Sequence, residues 1–456
     1  VINGQALASN IICINLNAPT GTTVVKGIIF VRCAGVAIRI GGSAENTRLE
    51  GNVIGTDGQG TSAAFGNGIG VQLAGDNSVI GGSTAAARNL ISGNGVAGIE
   101  VDSNSSPAGN VISGNWIGLN AAGTAAIPNG TGIEYIAGPN ITAITIGGDS
   151  PSFRNVISGN FNAGIELRGG ANHVVKGNFI GVSPAGTAAR PNGLQGIGVF
   201  GVNGVTIGGD TVTERNVISG NGSDGIRWND SSNGTISGNM VGTNAAGSAA
   251  LGNGSSGIRL SGASVNNVVG GTTSETRNVI GGNAVFGVTI LGTATGNSIV
   301  GNRIGTDLAG TTAIANQSGV SISSEGNGNT LTNNQISGNT FDGVILRSNF
   351  STLKGNFIGT NAGGAAATPN GQFGILVDDG DNNVIGGTAS GEANVISGNL
   401  SDGIQLVGGG GGPVGNHIVG NRIGVRVDGL SGLGNQGAGI NLRSFAANTE
   451  IRANQI

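Results

Sequence analysis

Apolar and polar residues alternate in short runs along the whole chain, and three kinds of run recur in a fixed order. The first is Gly-[Ile/Val]-x-[apolar], as in Gly98-Ile99-Glu100-Val101 and Gly403-Ile404-Gln405-Leu406. The second is an apolar pair ending in Gly-Asn or Gly-Gly, as in Val174-Val175-Lys176-Gly177-Asn178. The third is Asn-x-[Ile/Val]-[Gly/Ser], as in Asn178-Phe179-Ile180-Gly181. Alternation with a period of two marks a half-buried strand. Three strands in one order, repeated about every 31 residues, mark a solenoid. The pattern predicts an all-β fold, a parallel β-helix of about 14 three-stranded coils around a core of Ile, Val and Leu. At roughly 4.8 Å per coil, these stack into a rod of roughly 65 Å.

The loops alternate, so the full sequence repeat is two coils, about 62 residues. In one coil a long loop follows the third strand, as in Ala121 to Asn129; in the next a long loop precedes it, as in Asp149 to Arg154. Long loops on two edges predict two ridges. The whole of 1–456 reads as a single domain, with slightly divergent coils over 1–45.

The leading Asn of the third run recurs at Asn52, Asn89, Asn115, Asn155, Asn178, Asn216, Asn239, Asn278, Asn302, Asn334, Asn356, Asn394, Asn421 and Asn454. A tight corner asks for a left-handed backbone, which Asn tolerates best after Gly. Stacked side-chain amides also bond to one another in ladders. One context repeated along the chain predicts an asparagine ladder, with Asn129 of the long loop outside it.

Composition narrows the class. Gly accounts for 93 of 456 residues, yet hydrophobic residues are 37% and charged ones 10%, so apolar surface suffices for a core and disorder is excluded. Net charge is −4 and no Lys/Arg run exists, which argues against nucleic acid and against a polybasic membrane patch. No apolar stretch is long enough to span a bilayer. The chain opens at Val1 without a leader, which reads as a processed or excised segment.

Runs such as Asn155-Val156-Ile157-Ser158-Gly159-Asn160 and Asn394-Val395-Ile396-Ser397-Gly398-Asn399 resemble the parallel β-helix repeat arrays of the pectate-lyase-like superfamily, as in secreted bacterial surface proteins. The resemblance implies a right-handed coil, in keeping with the usual hand of parallel crossovers. It also implies an extracellular or cell-surface protein. In enzymes of that superfamily, catalytic groups lie on the outer face of the first strand.

The outward position there is the x of the first run: Gly70, Glu100, Glu134, Glu166, Gly198, Arg227 and Arg259 in succession. Stacked carboxylates share a proton or bind Ca²⁺ through oxygen, and a neighbouring Arg pair suits a uronate. Exposed charges also simply protect an open sheet face, and that reading is preferred. Galacturonase-like hydrolases carry a His-Gly and an Arg-x-Lys signature; this sequence has neither. His173 and His417 stand in different coils, and Trp228 falls in an inward slot. Cys13 and Cys33 are offset along their coils and are expected to remain apart. Of the Asn-x-Ser/Thr sequons, Asn129, Asn140 and Asn229 begin three.

No catalytic residue and no cofactor beyond Ca²⁺ is expected. The function expected is an extracellular structural or surface solenoid, a stalk or a head-to-tail filament subunit. The alternatives are a glycan-binding adhesin and a polysaccharide lyase or epimerase. Open strand edges at Val1-Ile2 and Asn454-Gln455-Ile456 motivate end-to-end self-association, and polysaccharide is the other partner expected.

Overall fold

A computed structural model describes residues 1–456 except 6–10, 18–20, 64, 103–106, 137–142, 324, 410 and 444. Contacts group the chain into two compact units, Val1–Arg227 and Trp228–Ile456. In the first, three parallel sheets build up coil by coil. The first-strand sheet runs from Ile14–Leu16 to Ile197–Phe200, the second from Val24–Lys26 to Thr206–Gly208, and the third from Ile2–Asn3 to Val217–Ile218. In the second unit the corresponding sheets run from Ile258–Ser261 to Ile440–Leu442, Thr235–Ser237 to Glu450–Arg452, and Met240–Val241 to Arg422–Ile423. Each unit is a parallel β-helix. The described strands number 45, three to a coil, so there is about one coil more than the sequence count. The undercounted coil lies in the divergent N-terminal stretch, where Cys13-Ile14-Asn15-Leu16 lacks the glycine of the first run.

Equivalent residues of successive coils pair in register. Ile99 lies between Val71 and Ile133, and Val101 between Leu73 and Tyr135. All six are buried. This corrects the outward row at its start: Gln72, not Gly70, precedes Glu100.

The predicted asparagine ladder is present, but its cause is different. In the first unit Asn52, Asn89, Asn115, Asn155, Asn178 and Asn216 are linked side chain to side chain at 2.9–3.1 Å. In the second unit Asn239, Asn278, Asn302, Asn334, Asn356, Asn394, Asn421 and Asn454 form the same chain. None of these asparagines has a positive φ; the preceding residue takes the left-handed turn, as Gly177 does at φ 71. A Cβ on Gly177 would lie 2.4 Å from the Gly148 carbonyl oxygen, so the turn needs glycine. In alternate coils Arg88 or Arg154 stands there instead and ends a long loop.

A second ladder was not foreseen. Asn67, Asn94, Asn129, Asn160, Asn192 and Asn221 bond in sequence at 2.8–2.9 Å. Asn129, expected on a loop surface, is fully buried in it. In the second unit the same column runs from Asn253 through Asn283, Asn316, Asn339, Asn370 and Asn399 to Asn435.

The two cysteines are joined, against expectation. Cys13 precedes its strand rather than lying in it, and its Cα is 6.0 Å from that of Cys33. The Cys13 N–H donates to the Val36 carbonyl at 2.9 Å, as a residue in register with Ala37 does, and the bend at 34–35 brings Cys33 back to it.

Candidate functional site

The predicted acidic face exists as a row. Gln72, Glu100, Glu134, Glu166 and Gly198 pair in register across the first-strand sheet of the first unit. The Gln72 amide donates to Glu100 at 2.9 Å. Glu166 pairs with Arg168, whose guanidinium stacks 4.4 Å from the centre of the Phe200 ring. Among the described residues Glu134, between the two, makes no ion pair of its own. Half-burial raises its pKa above the ordinary carboxylate value, the neighbouring Glu166 and Glu100 raise it further, and Arg168 acts against them. Phe200 also packs over Gly198, where a Cβ would meet its ring at 2.6 Å, so an aromatic side chain covers the slot between Glu166 and Arg227. Arg227 closes the first unit and Arg259 lies on the same sheet of the second.

The row offers a proton-sharing group but little else of a catalytic set. Among the described residues, no group of three or more His, Cys, Asp or Glu is placed to hold a metal ion. His417 is exposed and pairs with Glu450 at 2.6 Å. His173 is buried, and its ring meets the Tyr135 ring edge-on with centroids 4.4 Å apart. Its Nδ1 accepts the Ile144 N–H at 3.2 Å and its Nε2 donates to the Gly169 carbonyl at 3.1 Å. Asn110 and Asn297 do the same work elsewhere, each accepting a backbone N–H of the preceding coil. His173 is therefore a neutral structural acceptor, and desolvation lowers its pKa. Trp228 is in the core as expected, its indole N–H donating to the Ser231 carbonyl at 3.0 Å. The Asn129 sequon is buried, and Asn140 lies outside the described residues.

The clefts lie on a different face. Both loop series flank the third-strand sheet: 82–88 and 148–154 lead into it, and 118–129 and 181–192 leave it. The leaving loops are tied to one another every second coil, as by Ala121 N–H to the Gly60 carbonyl at 3.0 Å and Ala362 N–H to Gly310 at 3.0 Å. The third-strand face thus forms the floor of a trough in each unit. On that floor Arg88 lies 4.6 Å over Trp116, and Arg154 lies 3.9 Å over Phe179. Cavities open there, one lined by Arg88, Leu90 and Trp116 in the first unit, and two in the second. Sequence reasoning searched the first-strand face and missed this one. The available signal was the alternation of loops around one strand, with Arg before the ladder Asn.

Residues 305–456 match the family model described as a right-handed beta helix region. The likeness to right-handed parallel β-helix repeats expected from the sequence is therefore found. No curated protein matches the chain. Among solved structures it is similar to the periplasmic alginate epimerase AlgG, at 12% identity over 96% of this chain and 79% of that one, with TM-score 0.43. It is also similar to the AlgE4 A-module of a mannuronan C-5 epimerase from Azotobacter vinelandii, at 12% identity over 92% and 91%, with TM-score 0.44. The Dettilon tailspike protein is 14% identical over 82% and 62%, with TM-score 0.34. Likenesses this distant carry no argument about activity.

Proposed function

We propose that this chain is a structural β-solenoid of the extracellular space or cell surface. The observation that carries this reading is where the buried polar chemistry goes. In each unit two columns of buried asparagines spend their amides on the neighbouring coil, side chain to side chain and side chain to backbone. Such satisfied networks rigidify a core. The Cys13–Cys33 disulfide supports an oxidising compartment. Among the described residues no helix is long and apolar enough to cross a membrane. Coil-to-coil contacts of one repeated kind also suit axial stacking of copies, which sedimentation over a range of concentrations checks.

Glu134 favours a second reading, a lyase or epimerase working on the first-strand face, because a carboxyl with a raised pKa is a ready proton donor or acceptor. Incubation with pectate and alginate separates the two. The structural reading expects no unsaturated ends and no change in uronate composition; turnover lost in Glu134→Gln would establish the enzyme.

A further inference from the structure

One position in the second unit breaks the loop alternation. The loops leading into the third strand occupy 271–277 and 387–393, and midway between them Asn333 makes the turn by itself, at φ 56. A loop of several residues is missing from that edge of the trough. The gap bares the sheet beneath it. A cavity of about 690 Å³ is lined by Asn333, Phe357, Thr388, Ser390 and Arg422, among others. A smaller one of about 120 Å³ shares Asn333 and Phe357 with it and reaches Arg277, Arg303 and Gln335.

The floor has a definite chemistry. Arg303, Gln335, Phe357, Val395 and Arg422 are register neighbours, one per coil, so Phe357 has a guanidinium two coils away on either side, roughly 10 Å each way. Where the loops are complete, a preceding arginine covers the aromatic ring, as over Trp116 and Phe179. Phe357 follows Asn333 and has no such cover. Among the described residues Arg303 Nη1 is buried without a hydrogen-bond partner. Arg422 has no ion pair and no side-chain hydrogen bond among the described residues. The nearby Lys354 and Glu392 neutralise each other at 2.7 Å. The result is an uncovered ring between under-neutralised guanidinium groups, on a chain whose net charge is negative.

We propose that this notch binds an acidic oligosaccharide. A pyranose face stacks on Phe357, its carboxylate or sulfate groups meet Arg303 and Arg422, and its hydroxyls meet the Asn333 amide and the Thr388 and Ser390 hydroxyls. The extent of the floor along several coils suits a chain of rings better than a free ion, and guanidinium groups take carboxylate and sulfate alike in paired bonds. The site is independent of the structural function proposed above; a stalk that binds no sugar leaves that reading intact.

Calorimetric titration of the full chain tests the site with four probes: an oligogalacturonate, a sulfated oligosaccharide, a neutral oligosaccharide of the same length, and inorganic sulfate. Binding of either acidic oligosaccharide is expected, and which one binds identifies the anionic group. The neutral sugar and sulfate are expected to bind at least about tenfold more weakly. Arg422→Ala, which removes no internal partner, is expected to weaken binding by about tenfold or more. Ala393→Trp, which places a bulky uncharged ring in the lining of the larger cavity, is expected to fill the notch and abolish binding. Failure of both acidic probes, equal affinity for the neutral sugar or for free sulfate, or full affinity in both variants would overturn the proposal.

Discussion

Asn216 accepts the Asn178 backbone N–H at 2.9 Å and its side-chain amide at 3.1 Å, and donates to the Val175 carbonyl at 2.8 Å. Its removal leaves buried groups of the preceding coil unpaired. Asn216→Ala is expected to cost about 1–3 kcal/mol in denaturant unfolding. Asn129→Ala is expected to cost as much, since Asn129 accepts from Asn94 and donates to Asn160 and Ile91. Exposed Asn162 should tolerate the change. Equal effects at all three positions would remove the ladders as a source of stability. His173 makes a second residue-scale case. Its folded pKa lies below the ordinary 6.5, so the unfolded chain binds the extra proton first. Its contribution is complete above about pH 6.5 and shrinks as the pH falls below that. The melting temperature should drop more from pH 7.5 to 5 in the native protein than in His173→Asn, which keeps the backbone acceptor without the titration. The corner asparagines were legible because they recur in one sequence context. Their backbone conformation was not, because a left-handed residue one position earlier leaves the same Asn-rich pattern.

At the scale of elements, the acidic row and the N-terminal coil give contrasting expectations. Glu134 has a folded pKa above its ordinary value, so the folded state binds the proton more tightly. Ionised Glu134 therefore disfavours folding at neutral pH, and the penalty fades as the pH falls towards 4.5. Glu134→Gln should raise the melting temperature at pH 7, with a gain that vanishes at pH 4. Millimolar Ca²⁺ should leave the native protein unchanged; a rise on adding Ca²⁺, lost in the variant, would make the row a cation site. Reducing the Cys13–Cys33 disulfide should speed amide exchange in the first coil alone, because each coil rests only on its neighbours. Exchange that rises evenly along the chain would show that the disulfide restrains more than its own coil. The strands and their order were readable from alternation, and the register of Glu100, Glu134 and Glu166 with them. The disulfide was not, because the bend at 34–35 brings together two cysteines that linear register holds four residues apart.

For the whole molecule, repetition explains both what could be read and what could not. Each coil buries its apolar face only against its neighbours, so one local pattern written many times specifies the architecture. Function leaves no such repeated signal. The proposed notch lies instead where the repeat is broken, at the uncovered Phe357 beneath Asn333. That break became visible only when register placed residues of different coils side by side, whereas the acidic row was already legible in the sequence. On the proposed reading, the chain's polar chemistry serves cohesion between coils of an extracellular solenoid. Immuno-electron microscopy of intact producing cells tests this most directly. Label on ordered extracellular material attached to the cell is expected. Label found only as dispersed single molecules in the medium would contradict it.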